Sequence, residues 1–442
     1  MRWSCLVVVG LLAAACNDAI TLEVASDRDI PKGLDAICLG IADISPRGGQ
    51  FGRAYPLTGT LATLPQTLRV EPGDADAAFA WVRGDRGGVP VLGTSAKLDF
   101  VRDVVLALDK CVRGPAGAPA TRGEPVGPAG ARLAVSQGAG GTVVIAVGAT
   151  AEILDAKGLA LVSSVAPALH PGTVTEVITA DLDGDCDDDV IVATSDGPPA
   201  LWRRDGLTFT EVGSLGTAPA TAVAAADVDR NGTIDLVTGA GSTLALWRND
   251  GSGNFSDRST IANPGRATSI RALALGDLDG DGFPDLVVGQ GGEPLVAWLG
   301  TGTFQSADGV ISPVPVDVAR LVLADIDGDY DPDLAVAVNG GPLRLFVNRE
   351  GLLEDQSFVR IPQPAPVAHA IAIGGWDAAC EPDAIIASDA GGPALHGTGL
   401  DTALTADGAL PPATDIVMAD VDDDGDLDAI AAGANGVQWL AR

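Results

Sequence analysis

The chain is poor in the residues on which many enzyme sites and nucleic-acid surfaces depend. It has 442 residues, of which only three are His and two are Tyr, and aromatic residues make up 4%. His170, His369 and His396 lack the spacing of a zinc site, and none lies in a serine-nucleophile motif. Lys and Arg number 27 against 59 acidic residues, a formal net charge of −32. This balance argues against binding to nucleic acid and against electrostatic docking on an anionic membrane.

Apolar runs long enough to span a bilayer are also missing. The N-terminus has one basic residue, a short apolar stretch at 6–12 and small residues at 13–15, followed by Cys16. This order resembles a bacterial lipoprotein signal, which implies that residues 1–16 are the signal with lipidation at Cys16. The chain is then expected at the bacterial outer membrane or cell surface. The alternative is an ordinary secretory signal cleaved near Ala15, which would leave a secreted or periplasmic protein.

The composition predicts an all-β protein with an N-terminal domain of its own. Glycine (57) and proline (29) are frequent and 46% of residues are apolar, which suits short strands joined by turns. Apolar runs alternate with turn residues over 17–112, which predicts a β-sandwich of Ig-like or transthyretin-like type. Residues 113–131 are rich in Pro, Gly and Ala and are predicted to be a linker. Because an exported protein can form disulfides, we expect Cys38 to pair with Cys111.

The most informative stretch is residues 277–285, which read D-L-D-G-D-G-F-P-D. Four carboxylates this close together repel one another unless a cation neutralises them. Calcium takes about six to eight oxygens, and the first half of an EF-hand loop places acids at the same positions 1, 3, 5 and 9, with Gly at 6. No helices flank this loop, which runs into a β-branched strand. The predicted calcium ligands are Asp277, Asp279, Asp281 and Asp285.

This nine-residue frame recurs through the second half of the chain. Its copies begin at residues 181, 227, 277, 325, 375 and 420, so the steps are 46, 50, 48, 50 and 45. We number them loops 1 to 6. A regular period of this size indicates a repeat architecture. Loop 5 lacks acids at positions 1 and 5 and is predicted to bind no metal, which leaves about five structural calcium sites. The other predicted ligands are Asp181, Asp183, Asp185, Asp189, Asp227, Asp229, Asn231, Asp235, Asp325, Asp327, Asp329, Asp333, Asp420, Asp422, Asp424 and Asp428.

Each loop stands between two apolar strands, and a third strand and a weaker fourth one follow. Four strands in 45–50 residues are typical of a β-propeller blade. The frame extends back, without its acids, to residue 132, so we predict a seven-bladed β-propeller over 132–442. The sequence stops just past the third strand of the last blade, so we expect the fourth strand of that blade to come from a segment near the linker.

The D-x-D-G-D-G-x-x-D-[LV] pattern at this period resembles the FG-GAP/VCBS repeats of integrin α-subunits and bacterial secreted proteins. The resemblance covers residues 132–442. It implies that each loop joins the first and second strands of a blade and binds calcium through its alternating acids. The chain departs from the family in lacking its Phe-Gly and Gly-Ala-Pro signatures and in placing Cys186 and Tyr330 at position 6. Members of the family are mostly adhesive or scaffolding proteins, and some act on polysaccharides.

Two further sets of residues allow a functional and a structural interpretation. Trp202, Trp247, Trp298 and Trp439 recur in third strands, with Phe346 and His396 in the other copies. They suit packing between blades better than sugar stacking. Arginines near the ends of third strands suit either an anionic glycan or a solvated rim. These arginines are Arg203, Arg204, Arg248, Arg344 and Arg349.

Together these features predict a non-enzymatic, calcium-stabilised lipoprotein of the cell envelope. Near-identical acidic loops differ from a catalytic pair of carboxylates, which needs two differentiated groups. The propeller is expected to bind a protein or glycan, to act as a monomer and to contact the membrane only through its lipid. The alternative is a polysaccharide-active enzyme or lectin built on the same ring.

Overall fold

The computed structural model describes most of the repeat region and the strands of the N-terminal region. The described residues are 20–26, 36–43, 50–56, 64–70, 78–86, 89–98, 104–108, 120–138, 141–149, 151–155, 161–163, 172–263, 268–327, 331–349, 351–374, 376, 383–396, 404–407, 410–419, 421 and 427–441. Their regular secondary structure is β-strand with one short helix, α1 (Ser357–Arg360), which confirms the predicted all-β class. No helix in this part of the chain is long and apolar enough to cross a membrane.

The chain divides into two compact units, residues 1–111 with 184–186, and residues 112–183 with 187–442. The strands of the N-terminal region are β1 (Ile20–Ser26), β2 (Ala36–Asp43), β3 (Gln50–Pro56), β4 (Gln66–Val70), β5 (Ala78–Arg86), β6 (Val89–Leu98) and β7 (Val104–Leu108). They form a three-stranded sheet in the order β4-β1-β7 and a four-stranded sheet in the order β3-β2-β5-β6. In β1, buried Ile20, Leu22 and Val24 alternate with more exposed residues, the pattern of a strand with one covered face.

Two predictions concern residues of this region whose structure is not described. The lipidation site at Cys16 lies outside the described residues, and so does Cys111. Cys38 is within β2, but its side chain is not described. The lipidation and the Cys38–Cys111 disulfide therefore stay predictions.

The second unit begins with β8 (Ala120–Val126) and continues as a series of short antiparallel strands. The strands up to residue 261 are β9 (Arg132–Ser136), β10 (Val143–Val147), β11 (Ala151–Asp155), β12 (Leu161–Ser163), β13 (Val174–Ala180), β14 (Asp189–Thr194), β15 (Ala200–Asp205), β16 (Thr208–Ser214), β17 (Ala222–Ala226), β18 (Asp235–Ala240), β19 (Thr243–Arg248) and β20 (Asp257–Ile261). The remaining strands are β21 (Ile270–Gly276), β22 (Asp285–Gly300), β23 (Phe304–Ala324), β24 (Asp333–Val338), β25 (Arg344–Arg349), β26 (Leu352–Asp355), β27 (Ala370–Gly374), β28 (Asp383–Ala387), β29 (Ala394–His396), β30 (Thr405–Asp407), β31 (Asp415–Ala419), β32 (Asp428–Gly433) and β33 (Gly436–Ala441).

Consecutive strands pair into small sheets in chain order. Strands β9–β12, β13–β16, β17–β20 and β27–β30 each form a four-stranded antiparallel sheet, and β21–β26 form a six-stranded one. In the larger sheet, β22 pairs with β21 through residues 285–290 and with β23 through residues 291–300. The later part of β23 pairs with β24. Long strands thus connect what would otherwise be two four-stranded units.

Apolar clusters lie between successive sheets and join them into a ring. Val190 and Trp202 of the sheet β13–β16 pack with Ile145 of the preceding sheet. Equivalent clusters join each later sheet to the next. The last cluster joins Ile430 to Leu133 and so brings the end of the repeat region against its beginning. This closed array of small sheets is β-propeller-like, and the count of seven blades stays a prediction.

Strand β8 completes the last sheet, whose order is β31-β32-β33-β8. Val437 pairs with Val126, and Ala441 pairs with Ala120. The expected upstream strand is therefore present, but it lies inside residues 113–131, which the sequence predicted to be a linker. The Pro- and Gly-rich composition concealed it, because an edge strand that pairs on one side only does not need an alternating apolar pattern.

Four charged residues meet at the centre of the ring. The first strands contact one another in succession, with β9 next to both β13 and β31. From β23, Arg320 donates to Glu176 of β13 and to Asp415 of β31, the latter at 2.8 Å. Arg132 of β9 lies 3.9 Å from the same Asp415 carboxylate. Burial opposes the charge of Arg320, but Asp415 and Glu176 outweigh it and raise the pKa of its guanidinium. Ion pairs thus link separate sheets across the axis.

Candidate metal centres

The aspartate at position 9 of every loop is buried and bonded to the main chain. In all six loops its Oδ2 accepts a hydrogen bond from the backbone N–H of position 2. These bonds are Leu182 to Asp189 (3.2 Å), Val228 to Asp235 (3.3 Å), Leu278 to Asp285 (2.8 Å), Ile326 to Asp333 (2.9 Å), Trp376 to Asp383 (2.8 Å) and Val421 to Asp428 (3.2 Å). Each bond closes its loop onto the start of the second strand.

The other oxygen of the position-9 aspartate reaches the third strand. In loops 1 to 4, Oδ1 accepts from a backbone N–H there. These bonds are Arg204 to Asp189 (2.8 Å), Asn249 to Asp235 (2.9 Å), Gly300 to Asp285 (2.7 Å) and Asn348 to Asp333 (2.8 Å). In loop 5, Nδ1 of buried His396 lies 3.2 Å from Oδ1 of Asp383. Sequence reasoning treated position 9 only as a metal ligand and missed this role. One signal in the sequence could have indicated this structural role, because loop 5 keeps Asp383 although it lacks acids at positions 1 and 5.

Burial raises the pKa of the position-9 carboxyls. The pKa of Asp285 and that of Asp333 rise to about 7, that of Asp235 to about 6, and that of Asp189 to about 8. The backbone hydrogen bonds act in the opposite direction, and neighbouring loop acids add to the rise. Without a cation, the protein environment therefore disfavours the charged form of these groups.

Three carboxylates converge in each of loops 1 to 4, with oxygen atoms within 4.8 Å of one another. Oxygens bound to one calcium ion at about 2.3–2.6 Å can be at most about 5 Å apart, so each group has the dimensions of a single cation site. The groups are Asp181, Asp183 and Asp185; Asp227, Asp229 and Asp235; Asp277, Asp279 and Asp285; and Asp325, Asp327 and Asp333. These four Asp-rich groups could hold metal ions. Asp329, Asp420, Asp422 and Asp424 lie outside the described residues.

Not every predicted ligand joins its group. Asp281 accepts a hydrogen bond from the N–H of Phe283 at 2.8 Å, and Asn231 accepts one from Thr233 at 2.8 Å. Both are position-5 residues, and Asp281 does not belong to the converging carboxylates of loop 3. In loop 1 the converging set includes position 5, Asp185, but not Asp189. The acids at positions 1 and 3 are thus the members shared by all four groups.

The position-6 residue has a positive φ in loop 1 and in loop 3. Gly282 has φ of 88° and donates its N–H to Asp277 at 2.9 Å. In loop 1, Cys186 takes the same conformation with φ of 70°, which is uncommon for a residue with a Cβ. Its thiol is buried and not in a disulfide. Loop 1, which has Cys at position 6, therefore follows the same backbone course as a loop with Gly there.

Position 3 offers a buried carboxylate oxygen to a ligand. In Asp183, Asp229 and Asp327, Oδ1 is buried and has no hydrogen-bond partner among the described residues. The second oxygen of each side chain pairs with an arginine: Arg203 at 2.9 Å, Arg248 at 3.4 Å and Arg349 at 3.0 Å, respectively. A buried acceptor without a partner is costly, and here it belongs to a group of converging carboxylates. The residues present therefore fit a bound cation.

The arginines near third-strand ends all contact groups of this chain. Arg344 pairs with Asp355, and Arg203, Arg248 and Arg349 pair with loop acids as described above. Arg204 is fully buried and donates to Ser136 at 2.7 Å and to the carbonyl of Gly206 at 2.7 Å. These contacts favour a structural role over recognition of an anionic glycan.

The aromatic residues of the third strands are packing residues. Trp202, Trp298 and Phe346 are almost completely buried in clusters between sheets, which confirms that interpretation for them. Trp202 and Phe346 stand opposite the residue that follows position 9. In the last two sheets, Leu395 and Leu440 have this register, so His396 and Trp439 are each one position away from the equivalence that the sequence indicated.

Comparisons with known proteins agree with the repeat frame. No curated protein matches the chain. A family model described as an FG-GAP-like repeat matches residues 181–238, 227–288 and 277–336, and each match starts at an acidic loop and extends past the next one. A solved lectin of Agrocybe aegerita, described as recognising non-reducing terminal N-acetylglucosamine, is 14% identical with a TM-score of 0.48, over 71% of this chain and 86% of that one. Residues 181–336 of this protein are therefore three consecutive FG-GAP-like repeats.

Proposed function

We propose that the protein is a non-enzymatic, calcium-stabilised binding protein whose propeller-like ring presents a surface to a protein or glycan ligand. The observation that carries the proposal is the buried, unpartnered Oδ1 of Asp183, Asp229 and Asp327, each within a group of converging carboxylates. A bound ion would supply the missing partner. The same arrangement recurs from loop to loop, which favours a structural role, because catalysis needs one pair of groups with different pKa values.

Calcium is the ion that best suits these sites. The converging donors are all carboxylate oxygens, without nitrogen or sulfur, which favours a hard cation over zinc or copper. The irregular loops suit the flexible coordination of calcium better than the strict octahedron of magnesium. We infer about five sites, four in loops 1 to 4 and one in loop 6. Loop 5 is expected to stay free of metal.

The proposed location is the outer membrane or cell surface of a bacterium, with a lipid on Cys16 as the only membrane contact. The sequence of residues 1–16 supports this. A Cys16→Ser variant should move from the membrane fraction to the soluble fraction of the cell envelope. A variant that stays with the membrane would argue against the lipid anchor. We expect the protein to be a monomer, which sedimentation would test.

Calcium removal tests the central proposal. Because the ion binds the native state, excess chelator should lower the melting temperature by several degrees, and added calcium should restore it. Magnesium should restore it less. Calorimetric titration of the chelated protein should give about five calcium ions per chain. An unchanged melting temperature in chelator, together with no heat of binding, would refute the calcium role.

The non-enzymatic assignment needs a separate test. Incubation with a panel of polysaccharides and envelope proteins should show binding without the release of reducing ends. Release of reducing ends by the purified protein would instead support the polysaccharide-active alternative.

A further inference from the structure

The four acidic loops differ in how many arginines contact their position-3 aspartate. In loops 1 and 2 one arginine does so, Arg203 with Asp183 at 2.9 Å and Arg248 with Asp229 at 3.4 Å. In loop 4 there are two, because Asp327 pairs with both Arg349 and Arg360, each at 3.0 Å.

The loop 4 arginines approach from two different elements. Arg349 ends strand β25, and Arg360 ends helix α1. Asp327 and Arg360 are both buried, with 1% of each residue exposed, yet Oδ1 of Asp327 has no partner. The fully buried aspartate thus has one oxygen held by two guanidinium groups and one oxygen free for another ligand.

Among the described residues, no arginine contacts the position-3 aspartate of loop 3. Arg203 and Arg248 each stand directly before the residue whose N–H bonds to the position-9 aspartate. In loop 3 that residue is Gly300, and the preceding position is Leu299. Asp279, at position 3, makes no ion pair among the described residues, and its one hydrogen bond there is from the N–H of Asp281 at 3.1 Å.

One arginine does lie beside loop 3, on a different side. Arg230 of loop 2 approaches the carbonyl of Asp281 at 3.5 Å and stacks over the ring of Phe283 at 5.1 Å. Within the described part of the chain, it pairs with no carboxylate of loop 3. No guanidinium of the described residues therefore pairs with the three converging carboxylates of that loop.

We propose that the arginines paired with position-3 aspartates set the calcium affinity of each loop, because they act as built-in positive charges that compete with the ion. The affinity is then highest in loop 3, intermediate in loops 1 and 2, and lowest in loop 4. This inference rests on the proposed calcium binding. It adds that loop 4 keeps its structure without the ion, because Arg349 and Arg360 already neutralise Asp327, whereas loop 3 depends on the ion.

The ranking follows from charge. Calcium affinity depends on the number of charged ligands and on the rigidity of the site. A guanidinium on a ligand carboxylate places a positive charge a few Å from the incoming ion and occupies one oxygen, and both effects weaken binding. The same guanidinium offsets the mutual repulsion of the carboxylates while the ion is absent. Because Oδ1 stays open, binding is weakened but not abolished.

Substitutions in both directions test the inference. Arg248→Gln and Arg349→Gln remove a partly exposed guanidinium, so we expect calcium affinity at loops 2 and 4 to rise about tenfold. Leu299→Arg adds a guanidinium at the equivalent place of loop 3 and should lower affinity there by a similar factor. Arg344→Gln is the matched control, because it also removes one positive charge from strand β25. Arg344 pairs with Asp355, which lies outside the loops. The control should leave every calcium site unchanged.

Calcium titration combined with amide hydrogen exchange resolves the loops individually. In chelator, peptides covering loop 4 should exchange slowly and those covering loop 3 quickly, and added calcium should protect loop 3 first. In chelator, Arg349→Gln should also speed exchange in loop 4. Equal calcium protection of all loops, or affinities that fall or stay the same when an arginine is removed, would overturn this inference alone. Absence of any calcium binding would instead overturn the proposed function.

Discussion

Loops 3 and 5 have the same place in their sheets but different acids. Loop 3 has aspartates at positions 1, 3, 5 and 9, whereas loop 5 has Gly375 and Ala379 at positions 1 and 5. Both keep the position-9 aspartate with its two contacts, one to position 2 and one to the third strand. The comparison distinguishes a structural role of the loop acids from a proposed ion-binding role, which the repeat motif alone does not distinguish. Position 9 keeps its contacts in both loops, whereas the acids that loop 5 lacks are predicted ligands of the proposed cation.

The largest expected effect comes from removing the position-9 aspartate of loop 5. Asp383→Ala leaves the N–H of Trp376 and the ring of His396 without their buried acceptor, which should lower the free energy of unfolding by about 3 kcal/mol. The loss should be equal in calcium and in chelator, because loop 5 is expected to bind no ion. Asp285→Ala in loop 3 should cost a similar amount in chelator and more in calcium. Urea unfolding under both conditions measures these differences. If the loss of unfolding free energy in Asp383→Ala depends on calcium, position 9 of loop 5 does not have a purely structural role.

The second effect is a dependence of stability on pH. In chelator, the pKa of Asp285 is about 7 in the folded protein, raised by burial, against about 4 in an unfolded chain. A raised carboxyl pKa means that the folded state binds the proton more tightly, so stability is greatest at low pH. Stability should therefore fall as the pH rises from about 5 to 8. Calcium should reduce this fall, because it stabilises the ionised carboxylates.

A charge-matched pair of variants isolates that pH effect. Asp285→Asn removes the titrating group and should flatten part of the slope of melting temperature against pH. Asp257→Asn neutralises an exposed carboxylate, with 67% of its side chain accessible, and should keep the slope. If the chelated protein gains stability between pH 5 and 8, the burial of the position-9 acids has been misjudged.

The smallest effect on the fold is expected from Asp279→Asn. Asp279 is exposed and contributes no contact to the third strand, so stability in chelator should change by no more than about 0.5 kcal/mol. The same change should remove one calcium ion from the titration and leave the other loops near normal, because repeats contact mainly their neighbours. Loss of calcium from several loops would show that the sites are coupled.

Much of the repeat region follows from local sequence. The acids at alternate positions, the Gly at position 6 and the apolar strands around them lie within a few residues of one another, so the loops and their period are visible in the chain. The converging groups of loops 2 to 4 confirm that positions 1, 3 and 9 come together. The contacts of positions 5 and 9 then differ between loops. Asp281 accepts a hydrogen bond from the N–H of Phe283 in its own turn, and Asp189 accepts hydrogen bonds from the main-chain N–H groups of Leu182 and Arg204.

The contacts that sequence reasoning missed join distant segments. The arginines of third strands were recognised as a set, but their pairing with position-3 aspartates depends on how the third strand lies against its loop. Arg360 was not singled out, because α1 follows the fourth strand and reaches Asp327 only in the folded chain. The ion cluster of Arg320, Glu176 and Asp415 likewise involves strands of three different sheets, which no local pattern marks.

The pairing of β8 with β33 has a consequence for how the ring is assembled. The two strands come from opposite ends of the repeat region, so this sheet depends on a contact between segments that are far apart in the chain. Contacts between such distant segments are slow to form, and the entropy lost in closing the chain is offset only once they have formed. Until then, β33 is an open edge on which another chain could add a strand. The β8–β33 pairing is therefore expected to slow folding and, until it forms, to leave an edge open to aggregation.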